Sequence, residues 1–101
     1  MKILLACSAG MSTSLLVNKM IDASKAEGRD DKIWAVGQAE LDNAMQEADV
    51  LLLGPQMRFL KSKIEPKAAE LNLNFDVIPA TLYGRVDGKA VLDFAEETAN
   101  K

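Results

Sequence analysis

The stretch Cys7-Ser8-Ala9-Gly10-Met11-Ser12-Thr13-Ser14 holds the chain's one cysteine, followed at once by small and hydroxylated residues, in a sequence without histidine. Small residues let backbone N–H groups turn toward a common point. A helix start adds unpaired N–H groups at the positive end of its dipole. Such a nest holds an anion and lowers the pKa of a thiol inside it, giving a thiolate able to attack phosphorus. The chemistry that suits these residues is uptake of a phosphoryl group by Cys7, held afterwards by residues 8–14. Against this stands packing: free cysteine is among the most buried residue types, and Cys7 ends an apolar run.

Other phosphate loops fit less well. The G-x-x-x-x-G-K-[ST] pattern fails because residues 7–14 contain no lysine, and G-x-G-x-x-G is absent too. The Cys-x5-Arg loop of cysteine phosphatases comes nearer, but Thr13 stands where that pattern has its arginine. In such hydrolases a guanidinium grips the transferring group in a bidentate fork and steadies the transition state. Thr13 is expected to face the anion in its place.

A loop of this kind needs a strand before it and a helix after it. Residues 3–7 form an unbroken apolar run, as in a strand covered on both faces. Ser12, Thr13 and Ser14 are capping residue types, and Leu15, Leu16, Val17, Met20 and Ile21 follow at helical spacing. Gly28 is the expected stop. Further strands are expected over 33–36, 50–53 and 75–78, with helices over 39–47, over 56–71 and from Asp87-Gly88 onward. The 56–71 helix should turn Met57, Leu60, Ile64, Ala68 and Leu71 inward and kink or break at Pro66, which lacks a backbone donor. The last helix should bury Val91, Phe94 and Ala95, and the residues around Tyr83-Gly84-Arg85-Val86 read as a loop.

Strands alternating with helices imply an α/β domain over residues 1–101: a doubly wound, four-stranded parallel sheet with helices on both faces. Ligands of such sheets bind beyond the carboxyl ends of the strands, where Cys7, Gly37, Gly54 and Pro79 fall. The formal net charge of −3 and pI of about 4.9 argue against nucleic acid as a partner. With no histidine and one thiol, a structural zinc site is not expected, and phosphoryl uptake by Cys7 would need no metal or organic cofactor. No apolar run reaches the roughly 18–20 residues of a membrane span. Leu4-Leu5-Ala6-Cys7 has the outline of a lipidation box, but Ile3 to Ala6 is too short for a signal-peptide core of about 7–15 residues. A cytoplasmic location without direct membrane insertion is expected.

Three segments together carry a resemblance: residues 7–14, Leu52-Leu53-Gly54-Pro55-Gln56 and Tyr83-Gly84-Arg85-Val86-Asp87-Gly88. The chain resembles, over nearly its whole length, the lactose/cellobiose/chitobiose-type IIB components of the bacterial phosphoenolpyruvate-dependent sugar phosphotransferase system (PTS). Its cysteine loop is closer to the cellobiose/chitobiose branch. The resemblance implies a fold similar to low-molecular-weight tyrosine phosphatases. It further implies that Cys7 accepts a phosphoryl group from a phosphohistidine of the PTS IIA component, with residues 8–14 as the phosphate-binding loop. The group then passes to a sugar bound by the membrane PTS IIC component, with a β-linked disaccharide such as cellobiose or chitobiose as the implied sugar.

Three more residues are candidates for a docking surface. Tyr83 either lies near the cysteine loop or packs on its own loop. Gln56 either contacts the loop or caps the helix after Pro55. Met11 either packs beneath the loop or faces partners. Two rival readings share the fold: a small cysteine phosphatase, which the missing arginine disfavours, and a regulatory domain that takes up no phosphate.

Overall fold

The computed structural model describes residues 1–7 and 11–101, with the backbone alone for Met11 and Ser12. The apolar run near the N-terminus becomes strand β1 (Lys2–Ala6), and it shows no alternation because both its faces are covered. Ile3, Leu5 and Cys7 point into one core, Leu4 and Ala6 into another. The second strand, β2, spans Lys32–Val36, β3 spans Val50–Leu53 and β4 spans Asn74–Val77. Among the described residues they form the expected four-stranded parallel sheet, and its order is β2-β1-β3-β4.

Helix α1 (Met11–Ala26) and the last helix, α5 (Gly88–Ala99), cover the face holding Ile3, Leu5 and Cys7, and contribute Leu16, Met20, Val91, Leu92 and Ala95. The opposite face is covered by α2 (Leu41–Met45) and α3 (Lys61–Glu70). A short helix, α4 (Ala80–Gly84), links β4 to α5, where the sequence suggested a loop. No helix among the described residues is long and apolar enough to cross a membrane.

Several local expectations are corrected. The helix expected over 56–71 is a 3₁₀ stretch, Pro55–Leu60, followed by α3, and the change falls at Lys61 rather than at Pro66. Helix α3 runs through Pro66 because Ile64 and Ala68 anchor it to the core, while Ser62, whose carbonyl loses its partner, is exposed to water. Leu71 is 37% exposed and Leu73 only 6%. The cause is the turn ending α3: Asn72 takes φ 55°, the Leu73 N–H donates to the Ala68 carbonyl and the Asn72 N–H to that of Ala69. This Schellman turn sends Leu71 outward and tucks Leu73 under the helix. Leu15 likewise points outward, while Leu16 and Met20 carry the buried stripe of α1.

The same turn ends α1 at Gly28, with φ 69°, and ends α4 at Val86, with φ 52°. Glycine adopts this left-handed conformation freely, whereas a β-branched valine is strained there by about 1–2 kcal/mol. Three contacts hold Val86 in place. Its side chain packs against the α1/α5 core, the Asp87 carboxylate accepts the Ala90 N–H as the cap of α5, and Gly88 presses on α1. A β-carbon at Gly88 would lie 2.5 Å from the Lys19 carbonyl oxygen, on a backbone that cannot swing aside.

The far end of the sheet is clamped by charge. The Asp31 carboxylate accepts from the terminal ammonium at 3.1 Å, the Ser24 hydroxyl at 2.9 Å and Arg29 Nε at 3.0 Å. Burial alone would raise the pKa of this carboxyl; those three partners outweigh it and hold Asp31 below the usual carboxylate range.

Replacing Gly88 by alanine is expected to destabilise the fold by roughly 1–3 kcal/mol through overpacking against Lys19. Urea denaturation of the variant checks this; an unchanged midpoint would mean that α5 slides along α1 without loss.

Candidate functional site

Cys7 is the first residue past β1, and its backbone N–H donates to the Val36 carbonyl at 3.3 Å. Gly54 holds the same place past β3, its N–H donating to the Ala6 carbonyl at 2.9 Å. The strand order turns about β1, with β2 on one side and β3 on the other, so these two residues meet at the switch point where doubly wound sheets bind ligands. The approach is close. A β-carbon on Gly54 would sit 3.0 Å from Cys7 Sγ and 2.9 Å from Gln56 Oε1. Glycine is required here for the space it leaves beside the sulfur, since its φ of −62° suits any residue.

Three side chains from three segments gather around the thiol. Thr13, in the first turn of α1, is 6% exposed, and its hydroxyl lies 2.9 Å from that of Tyr83 on α4. Gln56, in the 3₁₀ stretch after β3, donates from Nε2 to Tyr83 Oη at 3.2 Å. Both Thr13 and Tyr83 also hydrogen-bond the Cys7 side chain. Gln56 and Tyr83 thus lie together with Thr13 beside the cysteine. Gln56 follows Gly54, the N-cap of the 3₁₀ stretch, and Pro55, and its amide reaches Tyr83. The capping expectation for Ser12, Thr13 and Ser14 fails, because α1 already begins at Met11.

Cys7 itself is 2% exposed. Burial pushes its thiol pKa up, and the hydrogen bonds from Thr13 and Tyr83 and the Gly54 backbone pull it back without overcoming that effect. This corrects the expectation of a depressed thiol. The sulfur faces the α1/α5 core, so desolvation of the thiolate dominates. Thr13 occupies the arginine position of the phosphatase pattern, but its hydroxyl is engaged with Tyr83, and a guanidinium there would have to displace that ring.

Ser8, Ala9 and Gly10, with the side chains of Met11 and Ser12, lie outside the described residues. Ser14 is exposed on α1. Among the described residues no group of three or more histidine, cysteine or acidic side chains has the arrangement to hold a metal. What the sequence reading missed was the convergence of Thr13 with Tyr83 and the pressure of Gly54 on the sulfur. The signal was available: all of them follow the carboxyl ends of β1, β3 and β4, and the switch-point rule applies to those ends jointly.

Comparison with known proteins gives the family and the fold. The family model for the PTS system, lactose/cellobiose specific IIB subunit, matches residues 2–94. The chain is 49% identical to the PTS system oligo-beta-mannoside-specific EIIB component of Bacillus subtilis (strain 168), across 93% of this chain and 91% of that one. It is 45% identical to the PTS system galactose-specific EIIB component of Lactococcus lactis subsp. cremoris (strain MG1363), across 97% and 95%. The solution structure of a cellobiose-specific phosphotransferase IIB component from Borrelia burgdorferi aligns with a TM-score of 0.82 at 35% identity, across 99% of this chain and 92% of that one. A lactose-specific IIB component domain from Streptococcus pneumoniae has the same fold, with a TM-score of 0.87 at 17% identity, across 97% and 96%.

The raised thiol has a consequence for stability. An unfolded cysteine ionises near pH 8.5, whereas the folded one holds its proton to a higher pH. The unfolded chain then binds fewer protons above that pH. The stabilisation is complete below about pH 8.5 and is lost as pH rises through the folded value. The wild type should therefore lose denaturant resistance above about pH 8.5 relative to Cys7→Ser, and parallel curves for the two proteins would contradict the buried thiol.

Proposed function

The chain belongs to the lactose/cellobiose-specific IIB family of the PTS, whose members are sugar-specific phosphotransferase components, and from that premise we propose that Cys7 is its phosphocarrier residue. The sulfur attacks the phosphorus of a phosphohistidine on the IIA component. An S–P bond forms, the P–N bond breaks, and the thiol proton ends on the released imidazole. In the second step the hydroxyl of a sugar held by the membrane IIC component attacks the phosphorus; the S–P bond breaks and the sulfur regains a proton. Residues 8–14 are the proposed phosphate-binding loop, with Met11, Gln56 and Tyr83 on the docking side, in a single domain over 1–101. Phosphoryl transfer of this kind needs chiefly positioning and charge stabilisation, and no metal or cofactor of this chain enters either step.

The observation that carries the reading is the placement of Cys7: a lone thiol at the sheet's switch point, framed by hydroxyl and amide groups with no charged side chain acting on it. Such surroundings hold a phosphoryl group without the guanidinium that promotes hydrolysis in cysteine phosphatases. The protein acts in the cytoplasm, at the face of the IIC component. Relatives are named for oligo-beta-mannoside, galactose and cellobiose; for this chain we propose a β-linked disaccharide such as cellobiose or chitobiose.

Incubation with phosphoenolpyruvate, the general phosphotransfer proteins and a matched IIA component should add one phosphoryl group to the intact mass of the wild type and none to Cys7→Ser. Serine is far less readily ionised than cysteine and does not replace it as nucleophile. Equal labelling of the two proteins would refute the assignment, and rapid release of phosphate from an aryl phosphate would favour a phosphatase.

A further inference from the structure

The cluster beside the sulfur has a direction. Gln56 Nε2 is a donor only, so the Tyr83 oxygen accepts from it at 3.2 Å and the single phenol proton must turn elsewhere. On that other side lie Thr13 Oγ1, at 2.9 Å, and the Cys7 sulfur. If the phenol proton goes to Thr13, the threonine hydroxyl is left to donate to the sulfur. If it goes to the sulfur, the donation is direct. Either way a proton is delivered to Sγ, and the group that decides this is the amide at the outer end of the chain. The amide oxygen lies near Gly54, 2.9 Å from where a β-carbon would stand.

We propose that Gln56 is a positioning residue, setting the proton direction of a Gln56–Tyr83–Thr13 chain so that its hydroxyls donate to Cys7 Sγ and steady the sulfur anion during transfer. Its role in transfer rests on the phosphocarrier reading; its effect on the thiol does not. The groups acting on the thiol are Thr13 from α1, Tyr83 from α4 and the Gly54 backbone past β3, so among the described residues Tyr83 is the one titratable partner and no charged side chain takes part. Gln56 is exposed and contributes nothing to either core, so its replacement leaves the fold standing.

The test is a double-mutant cycle read on the thiol. With one cysteine in the chain, carbon-13 NMR of the Cys7 β-carbon follows its ionisation without interference from tyrosine. Gln56→Met should raise the thiol midpoint by about half to one pH unit, the size of one hydrogen bond. Tyr83→Phe should raise it at least as much, and the double variant no further than Tyr83→Phe alone. An unmoved midpoint in Gln56→Met, or fully additive shifts, would overturn the proposal, since Gln56 would then not act through Tyr83. Phosphoryl uptake from IIA is measured on the same samples. Shifts as expected in a wild type that takes up no phosphoryl group would support the hydrogen-bond chain and sink the phosphocarrier reading alone.

Discussion

The contact on which the rest of the structure depends is that of the Cys7 sulfur with Gly54 across the gap between β1 and β3. Parallel strands buried on both faces fix it. The pairing of Ala6 with Leu53 puts the two next residues side by side, and alternation along β1 turns Cys7 to the α1/α5 face with Ile3 and Leu5. The thiol is therefore placed by the same hydrophobic burial that holds the sheet together. At roughly 1.5–3 kcal/mol for each buried aliphatic side chain, the strand residues resist any shift that would move the sulfur.

Around that fixed point the other groups are held by helices that are themselves locked. Helix α1 carries Thr13 at one end and, at Lys19, receives the side-chain-free backbone of Gly88. Helix α4 carries Tyr83 and is joined to α5 through the strained Val86. A strained residue persists only where its surroundings over-determine it, and here the Asp87 cap, the Gly88 contact and core packing do so. Helix α4 is thus tied to α1 directly by the Thr13–Tyr83 hydrogen bond and indirectly through Val86 and α5, whose Gly88 meets Lys19. The hydroxyl of Tyr83 is thereby kept beside the sulfur although α4 itself is a short helix with no fully buried residue.

The four-stranded parallel sheet was legible because it follows from hydrophobic pattern and connectivity. The apolar runs at 3–7 and 50–53 left little choice, and the rule for ligands of such sheets then pointed to the strand ends at Cys7, Gly37, Gly54 and Pro79. Less legible were features set by local backbone geometry. Leu71 and Leu73 exchange roles because of one residue in the left-handed region, Asn72, and no hydrophobic period reveals that. The break allowed for at Pro66 did not occur because Ile64 and Ala68 hold α3 to the core on either side, and Ser62, whose carbonyl loses its donor, is an exposed residue. The direction of the thiol's pKa was misread for a similar reason. Loop composition advertises N–H groups, whereas the depth of the sulfur in the α1/α5 core is a tertiary fact.

A buried thiol that keeps its proton fits the proposed role better than a permanently ionised one. A free thiolate is open to oxidation and to attack on unintended electrophiles, whereas a protonated thiol is a poor nucleophile until a partner supplies a base. In the proposed transfer from phosphohistidine that base is the leaving imidazole itself, so the proton that burial retains on Cys7 is the one the donor would gain. The same neutrality protects the product. With Thr13 and Tyr83 in the place of a guanidinium, the proposed phosphoryl site offers hydrogen bonds and no cation among the described residues, which suits holding the group rather than driving its transfer to water. Carrier and hydrolase can thus share one fold and one cysteine, separated by whether the group beside the sulfur is a hydroxyl already bonded to its neighbour or a cation aimed at the phosphate.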